Sequence, residues 1–184
     1  MKGEWASITT PFNEKSVKIL EAGDRILLSG IVYTARDRAH ERLCRMIRNK
    51  EELPFDPAGQ VLYYTGPSPA PPGKIIGSVG PTTSSRMDPF TEDLLKAGLR
   101  GMIGKGKRAR PVRELFPYYQ AVYFSTVGGA GAYLSKKIVS AEIIAFHDLG
   151  AEAVYRLEFR DFPLLVINDT YGGDLYEDAL HQRK

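Results

Sequence analysis

Short apolar runs of strand length recur along this chain, and stretches with helical periodicity stand between them. Ile26–Val32 is the first such run, broken by Ser29 and Gly30. The pattern returns at Val61–Thr65, Lys74–Val79, Ala121–Thr126, Ile138–Phe146, Val154–Phe159 and Leu164–Ile167, with a short run ending near Ile103. Runs of this length suit strands, whereas amphipathic helices repeat their apolar residues every three or four positions. The helical pattern is carried by Ala35, Ala39, Leu43, Met46 and Ile47, and Asn49 with the charged run Lys50-Glu51-Glu52 closes it. Thr34 and Asp37 stand before it at the spacing of a capping box. A second helix is expected from Asp88 as N-cap, with Pro89 at N1, to Gly98; Phe90, Leu94 and Leu95 would face the core. A third is expected to start near Pro111, and Gly128-Gly129-Ala130-Gly131 opens a turn or helix. Strands and helices that interleave in this way predict the α/β class with a mixed sheet.

The 184 residues suit one domain with a real core. The expected organisation is an irregular arm over residues 1–22, one domain over 23–176 and a tail over 177–184. No apolar run approaches the roughly 18 residues of a membrane helix. Met1-Lys2-Gly3-Glu4-Trp5 lacks the apolar core of a signal peptide, so a cytoplasmic protein is expected. A single cysteine, Cys44, excludes an internal disulfide and any cysteine-rich metal site within one chain; it falls near the apolar stripe and reads as a core thiol. His40, His147 and His181 are scattered without metal-ligand spacing. No metal is expected on this chain.

The stretch Gly80-Pro81-Thr82-Thr83-Ser84-Ser85-Arg86-Met87 sets four hydroxyls beside one cation just before a predicted helix. A guanidinium is a planar fork of donors that matches a carboxylate, and free N–H groups at a helix start can complete an anion site. Arg36, at another helix start, and Lys105, between Gly104 and Gly106, stand in similar places after strand-like runs. Ligands of α/β sheets bind where such loops gather. Solvation explains each basic residue taken alone, and helix capping explains most of the hydroxyls. The shared placement is what marks the three cations as a candidate site for a small diacid. A hydroxyl acting as a base would need a neighbouring cation or partner base, and no histidine is adjacent.

The basic runs Arg36–Arg48 and Lys105–Arg113 raise a nucleic-acid reading. No RNA- or DNA-binding motif accompanies them, no aromatic platform is interleaved, and the formal charge is only +3. A basic face toward an acidic partner subunit is an expectation of at least equal standing. Val127–Gly131 imitates a dinucleotide loop, but Leu134 stands where the third glycine belongs, which favours close packing.

Leu28-Ser29-Gly30-Ile31-Val32-Tyr33-Thr34-Ala35-Arg36-Asp37-Arg38-Ala39-His40 resembles the opening of the β subunit of class I fumarases and of the related L-tartrate dehydratases. Gly80–Met87, Gly101-Met102-Ile103-Gly104-Lys105-Gly106 and Asn168-Asp169-Thr170-Tyr171-Gly172-Gly173-Asp174-Leu175-Tyr176 resemble further signatures of that family, in the expected order from about Pro11 to Tyr176. The resemblance implies a swivelling β/β/α domain. It implies a 4Fe-4S cluster on the partner α subunit, held there by three cysteines, whose fourth iron binds the substrate as a Lewis acid. It implies a dicarboxylate substrate bound by Arg36, Arg86 and Lys105. Thr82 matches the proposed catalytic base, assisted by an aspartate of the α part, and Thr83 is placed beside the substrate. The implied reaction is reversible hydration of fumarate to (S)-malate, inactive without the α partner. Tartrate dehydration and a non-catalytic anion- or nucleic-acid-binding module are the alternatives. No role is carried over to His40, His147, Asp169 or Asp174. A homo-oligomer of the β chain is compatible with this reading.

Overall fold

The structure, a computed structural model, describes residues 4–126 and 129–181. The first residues of the N-terminal segment, Val127 and Gly128 of the glycine turn, and the end of the expected tail lie outside the described residues. The chain begins with β1 (Trp5–Thr9) and α1 (Glu14–Lys18), followed by β2 (Arg25–Thr34), α2 (Asp37–Asn49) and β3 (Val61–Tyr63). α3 (Asp88–Lys96) leads into β4 (Gly101–Gly104), and α4 (Arg110–Arg113) and α5 (Leu115–Tyr119) lead into β5 (Val122–Ser125). α6 (Gly131–Leu134), β6 (Ile138–Ala145), β7 (Val154–Asn168) and α7 (Leu175–His181) follow.

The strands form one sheet in the order β1-β2-β3-β4-β5-β7-β6, and β2 also pairs with β7. β1 to β5 run parallel to their neighbours, while β7 is antiparallel to β2, β5 and β6. Strands β2, β3, β4, β5 and β7 therefore close on one another, and β1 and β6 sit at the margins. The class is α/β with a closed mixed sheet.

The closure makes two cores. Val61, Tyr63, Ile103, Val122 and Phe124 belong to the cluster inside the closed sheet. Leu62, Tyr64, Met102 and Tyr123, their immediate neighbours in sequence, belong to the cluster between the sheet and α2, α3 and α5. Successive side chains of a strand point to opposite faces, so strands buried on both faces read as continuous apolar runs.

Several expectations change. Residues 5–9 are not irregular: they form β1, paired in parallel with Arg25–Ser29. Of that strand only Ile8 is buried, so the segment carries little apolar signal. Lys74–Val79 forms no strand. Ser68 N–H donates to Ser78 O at 3.0 Å and Val79 N–H to Gly131 O at 3.3 Å, so the segment folds back on its own loop, whose prolines remove ladder donors. Val154–Phe159 and Leu164–Ile167 are two parts of one strand, β7, which bends through Asp161 at φ 49°. Thr34 ends β2 and does not cap α2; its hydroxyl donates to Ala153 O at 3.3 Å and accepts from Tyr155 N–H at 3.0 Å. Asp88 is the first residue of α3 and Met87 its cap. The segment expected as a tail from 177 begins inside α7.

Candidate functional site

Parallel strands put their carboxyl ends at one edge of a sheet, and that edge gathers the candidate residues. Arg36 follows β2 and caps α2. Lys105 follows β4 directly. The hydroxyl loop wedges between the diverging ends of β3 and β4. Thr82 N–H donates to Tyr64 O at 2.6 Å, Lys105 N–H to Thr82 O at 3.2 Å, and Ser84 N–H to Lys105 O at 2.9 Å. Thr83 and Lys105 form an isolated parallel bridge. Thr82, Thr83 and Lys105 are thus adjacent through backbone pairing, which fixes their relative positions.

Arg86 lies in the short 3-10 turn Ser84–Met87 and reaches back toward α2. Its Nε is 2.9 Å from Asp37 Oδ1, and an Arg36 Nη is 3.8 Å from Asp37 Oδ2. The same Arg36 group lies 4.0 Å from Glu152. Asp37 therefore links the two arginines, while Lys105 joins them through the hydroxyl loop. The face is open: the Arg86 side chain is 51% exposed, and Thr83 and Lys105 are exposed as well. Arg36 is more enclosed, at 24%. A Cβ on Gly66 would stand 2.8 Å from its Nη1 and 2.9 Å from Ala151 O, so only glycine leaves room for it there. The grooves lined by Pro71 and Ile138, by Trp5 and Leu165, and by Arg110 and Gly172 contain none of the five residues.

Behind this face sits a buried cation that sequence reasoning passed over. Arg108, 1% exposed, pairs with Asp88 at 2.5 Å, donates to Thr91 Oγ1 at 2.6 Å, and lies over the rings of Tyr64, Phe116 and Tyr123. Ala109 N–H donates to the other Asp88 oxygen at 2.9 Å. Tyr123 Oη lies 2.9 Å from Ser84 Oγ and donates to Gly106 O at 2.8 Å. This network ties the start of α3 to the loop after β4, and so holds the hydroxyl loop against Lys105. Gly104 serves the same packing, because a Cβ there would collide with Ser84 Oγ. Its close neighbours are the side chains of Ser84 and Tyr64. In the sequence, Arg108 was one of five cations in a run with nothing to single it out.

His40 is buried behind Arg36, with Nδ1 3.0 Å from Arg36 O and its ring edge-on to Tyr64. Burial lowers its pKa to about 4, so it is neutral near pH 7. The signature Asn168–Tyr176 lies at the other edge, beside the entry to β2. Asp169 accepts from the N–H groups of Ala22, Tyr171 and Gly173, each at 2.8 Å, and Asp174 accepts from Tyr176 N–H and pairs with Arg113. Those carboxylates organise a turn and a helix start.

Most cations of the basic runs are engaged within the chain. Arg42 pairs with Asp148, Arg48 with Asp93, Arg110 with Glu114, and Lys107 and Arg113 with Glu177. Among the described residues no three His, Cys, Asp or Glu side chains converge to hold a metal. Burial pushes the Cys44 thiol up to about 12, and its Sγ faces Phe90 O at 3.4 Å. A thiol so placed is inert and ill suited to ligate iron. The described residues do not fit an iron–sulfur cluster. No helix among them is long and apolar enough to cross a membrane.

Fold and site together define a closed-sheet α/β domain that presents two arginines, a lysine and hydroxyls on an open strand edge. The chain belongs to the fumarase C-terminus family, whose model matches residues 5–179. A Methanocaldococcus jannaschii protein, provisionally named L(+)-tartrate dehydratase subunit beta, is 36% identical over 172 residues, covering 90% of this chain and 88% of that protein. Fumarate hydratase 2 of Leishmania major is 37% identical over 161 residues, 86% of this chain but 28% of that protein. Fumarate hydratase class I, aerobic, of Escherichia coli is 32% identical over 183 residues, 95% of this chain and 33% of that protein. The chain thus spans a third or less of those two fumarate hydratases.

Proposed function

We propose that this chain is the β component of an iron–sulfur hydro-lyase that reversibly hydrates fumarate to (S)-malate with an α subunit carrying the 4Fe-4S cluster. The observation that carries it is the gathering of Arg36, Thr82, Arg86 and Lys105 on one open edge, in a chain matching a third of the single-chain fumarate hydratases. Removing a proton next to a carboxylate builds negative charge that must be neutralised as it forms. Arg36, Arg86 and Lys105 supply fixed positive charge for that purpose. Thr82, held by its backbone to Tyr64 and Lys105, is the base that takes the proton, with help from an aspartate of the α part; Thr83 lies beside the substrate. A pure anion binder would need the cations but not Thr82.

In this reading the closed sheet with its helices is the swivelling β/β/α domain, the pair works in the cytoplasm, and this chain is inactive without the α partner. Anaerobic mixing with an iron–sulfur α partner, followed by fumarate absorbance, tests it. Turnover requiring both proteins is expected, and turnover by the metal-free chain alone contradicts it. In that assembly Arg86→Ala should abolish turnover while the subunit stays folded; unchanged turnover would sink the clamp assignment. The coverage of the tartrate dehydratase relative supports a second reading, dehydration of L-tartrate, which the same assay separates by substrate. Salt-sensitive retention on nucleic acid without partner-dependent turnover would instead favour a binding module.

A further inference from the structure

We infer that Asp37 is a positioning residue of this site, one that sets the orientation of both guanidiniums without itself touching substrate; the inference rests on the function proposed above. An aspartate opening a helix ordinarily serves the helix end. Asp37 does not serve it as a cap: the cap position of α2 is Arg36, whose side chain bonds no N–H there, and the free N–H of Arg38 donates to Glu152 Oε2 at 2.9 Å, not to Asp37. Its carboxylate is turned instead to the arginines, 2.9 Å from Arg86 Nε and 3.8 Å from an Arg36 Nη. Asp37 Oδ2 and Arg36 Nε are both buried without a hydrogen-bond partner, so the backbone makes no claim on either group.

The direction of the Arg86 contact matters. Asp37 meets that guanidinium on its Nε side, which leaves the Nη1–Nη2 edge as the fork for a substrate carboxylate. A side chain 51% exposed would otherwise sample many rotamers, and each substrate would have to order it on binding. Arg36 is bounded on the other flank by Glu152 at 4.0 Å and the wall at Gly66, so the Asp37 carboxylate stands as a shared counter-charge between the two arginines. Removing Asp37 should therefore weaken binding more than chemistry. Were Asp37 merely a competitor for the cations, its removal would tighten binding of a diacid.

The test uses the α–β assembly, with the isolated chain as an independent readout. In Asp37→Ala the KM for malate and fumarate should rise about tenfold while kcat changes less than about threefold, with Asp37→Glu recovering part of the loss. In the isolated chain, 15N relaxation of the Arg86 Nε–H group should show an ordered side chain that becomes mobile in Asp37→Ala at an unchanged unfolding midpoint. An unchanged or lowered KM in an active wild-type background overturns the Asp37 assignment alone. Should the wild-type assembly lack hydratase activity, the proposed function falls, and the Arg86 relaxation still decides whether Asp37 holds that guanidinium.

Discussion

His40 shows how a residue behind the site can tie its upkeep to pH. Its Nδ1–H donates to the carbonyl of Arg36, and its Nε2 is buried with no hydrogen-bond partner. A second proton on that ring would be a charge without solvent or acceptor, so burial lowers the pKa from 6.5 to about 4. The unfolded chain binds that proton below about pH 6.5, and the folded chain resists it until about pH 4. The contribution is therefore fully present above the unfolded value and is lost as pH falls between the two. It is on the order of 3 kcal/mol. Urea unfolding at pH 7.5 and 4.5 should show wild type losing more stability than His40→Gln by about that amount; equal losses in both proteins would refute the linkage.

At the scale of elements, the site depends on two loops being held together from behind by α3. Arg108 is the tie, and Asp88 its partner, with a side chain only 13% exposed. Truncating one partner of a buried pair leaves the other charge uncompensated, so Arg108→Ala should cost about 3–5 kcal/mol in urea unfolding. A loss under about 1 kcal/mol would mean that the rings around Arg108 hold these loops without it. The same elements show what the sequence could disclose. β3 and β5 are buried on both faces, so Val61–Thr65 and Ala121–Thr126 stood out as apolar runs. β1 is a margin strand with one buried residue and gave no such signal. Ile76 and Val79 are buried as a strand's residues would be, but they pack from a loop whose ladder groups bond inward, and apolarity alone does not reveal that. Arg160 and Asp161 look like a loop because the bend of β7 brings charge into the middle of a strand. At the site, the cations and hydroxyls were legible as separate loops. Asp37 was not, because its capping spacing with Thr34 masked a contact made with Arg86, far along the chain.

For the whole molecule, the open strand edge sets where a partner must come. Guanidiniums and an ammonium in water attract a dicarboxylate weakly, because solvent screens each pair; the same charges count for much more once a covering surface excludes water. Arg86, Lys105 and Thr83 are exposed, so the isolated chain lacks that exclusion and should bind dicarboxylates poorly. An α partner that completes the site has to cover this edge. Hydrogen exchange followed before and after anaerobic assembly should therefore show new protection at residues 80–87 and 104–107. The turn at Asp169–Asp174 lies at the opposite edge and bonds its own N–H groups, so its exchange should stay as it is in the free chain. Protection that appears at that turn, and leaves the hydroxyl loop unchanged, would place the partner on the wrong side for Thr82 and the three cations to share a substrate with it.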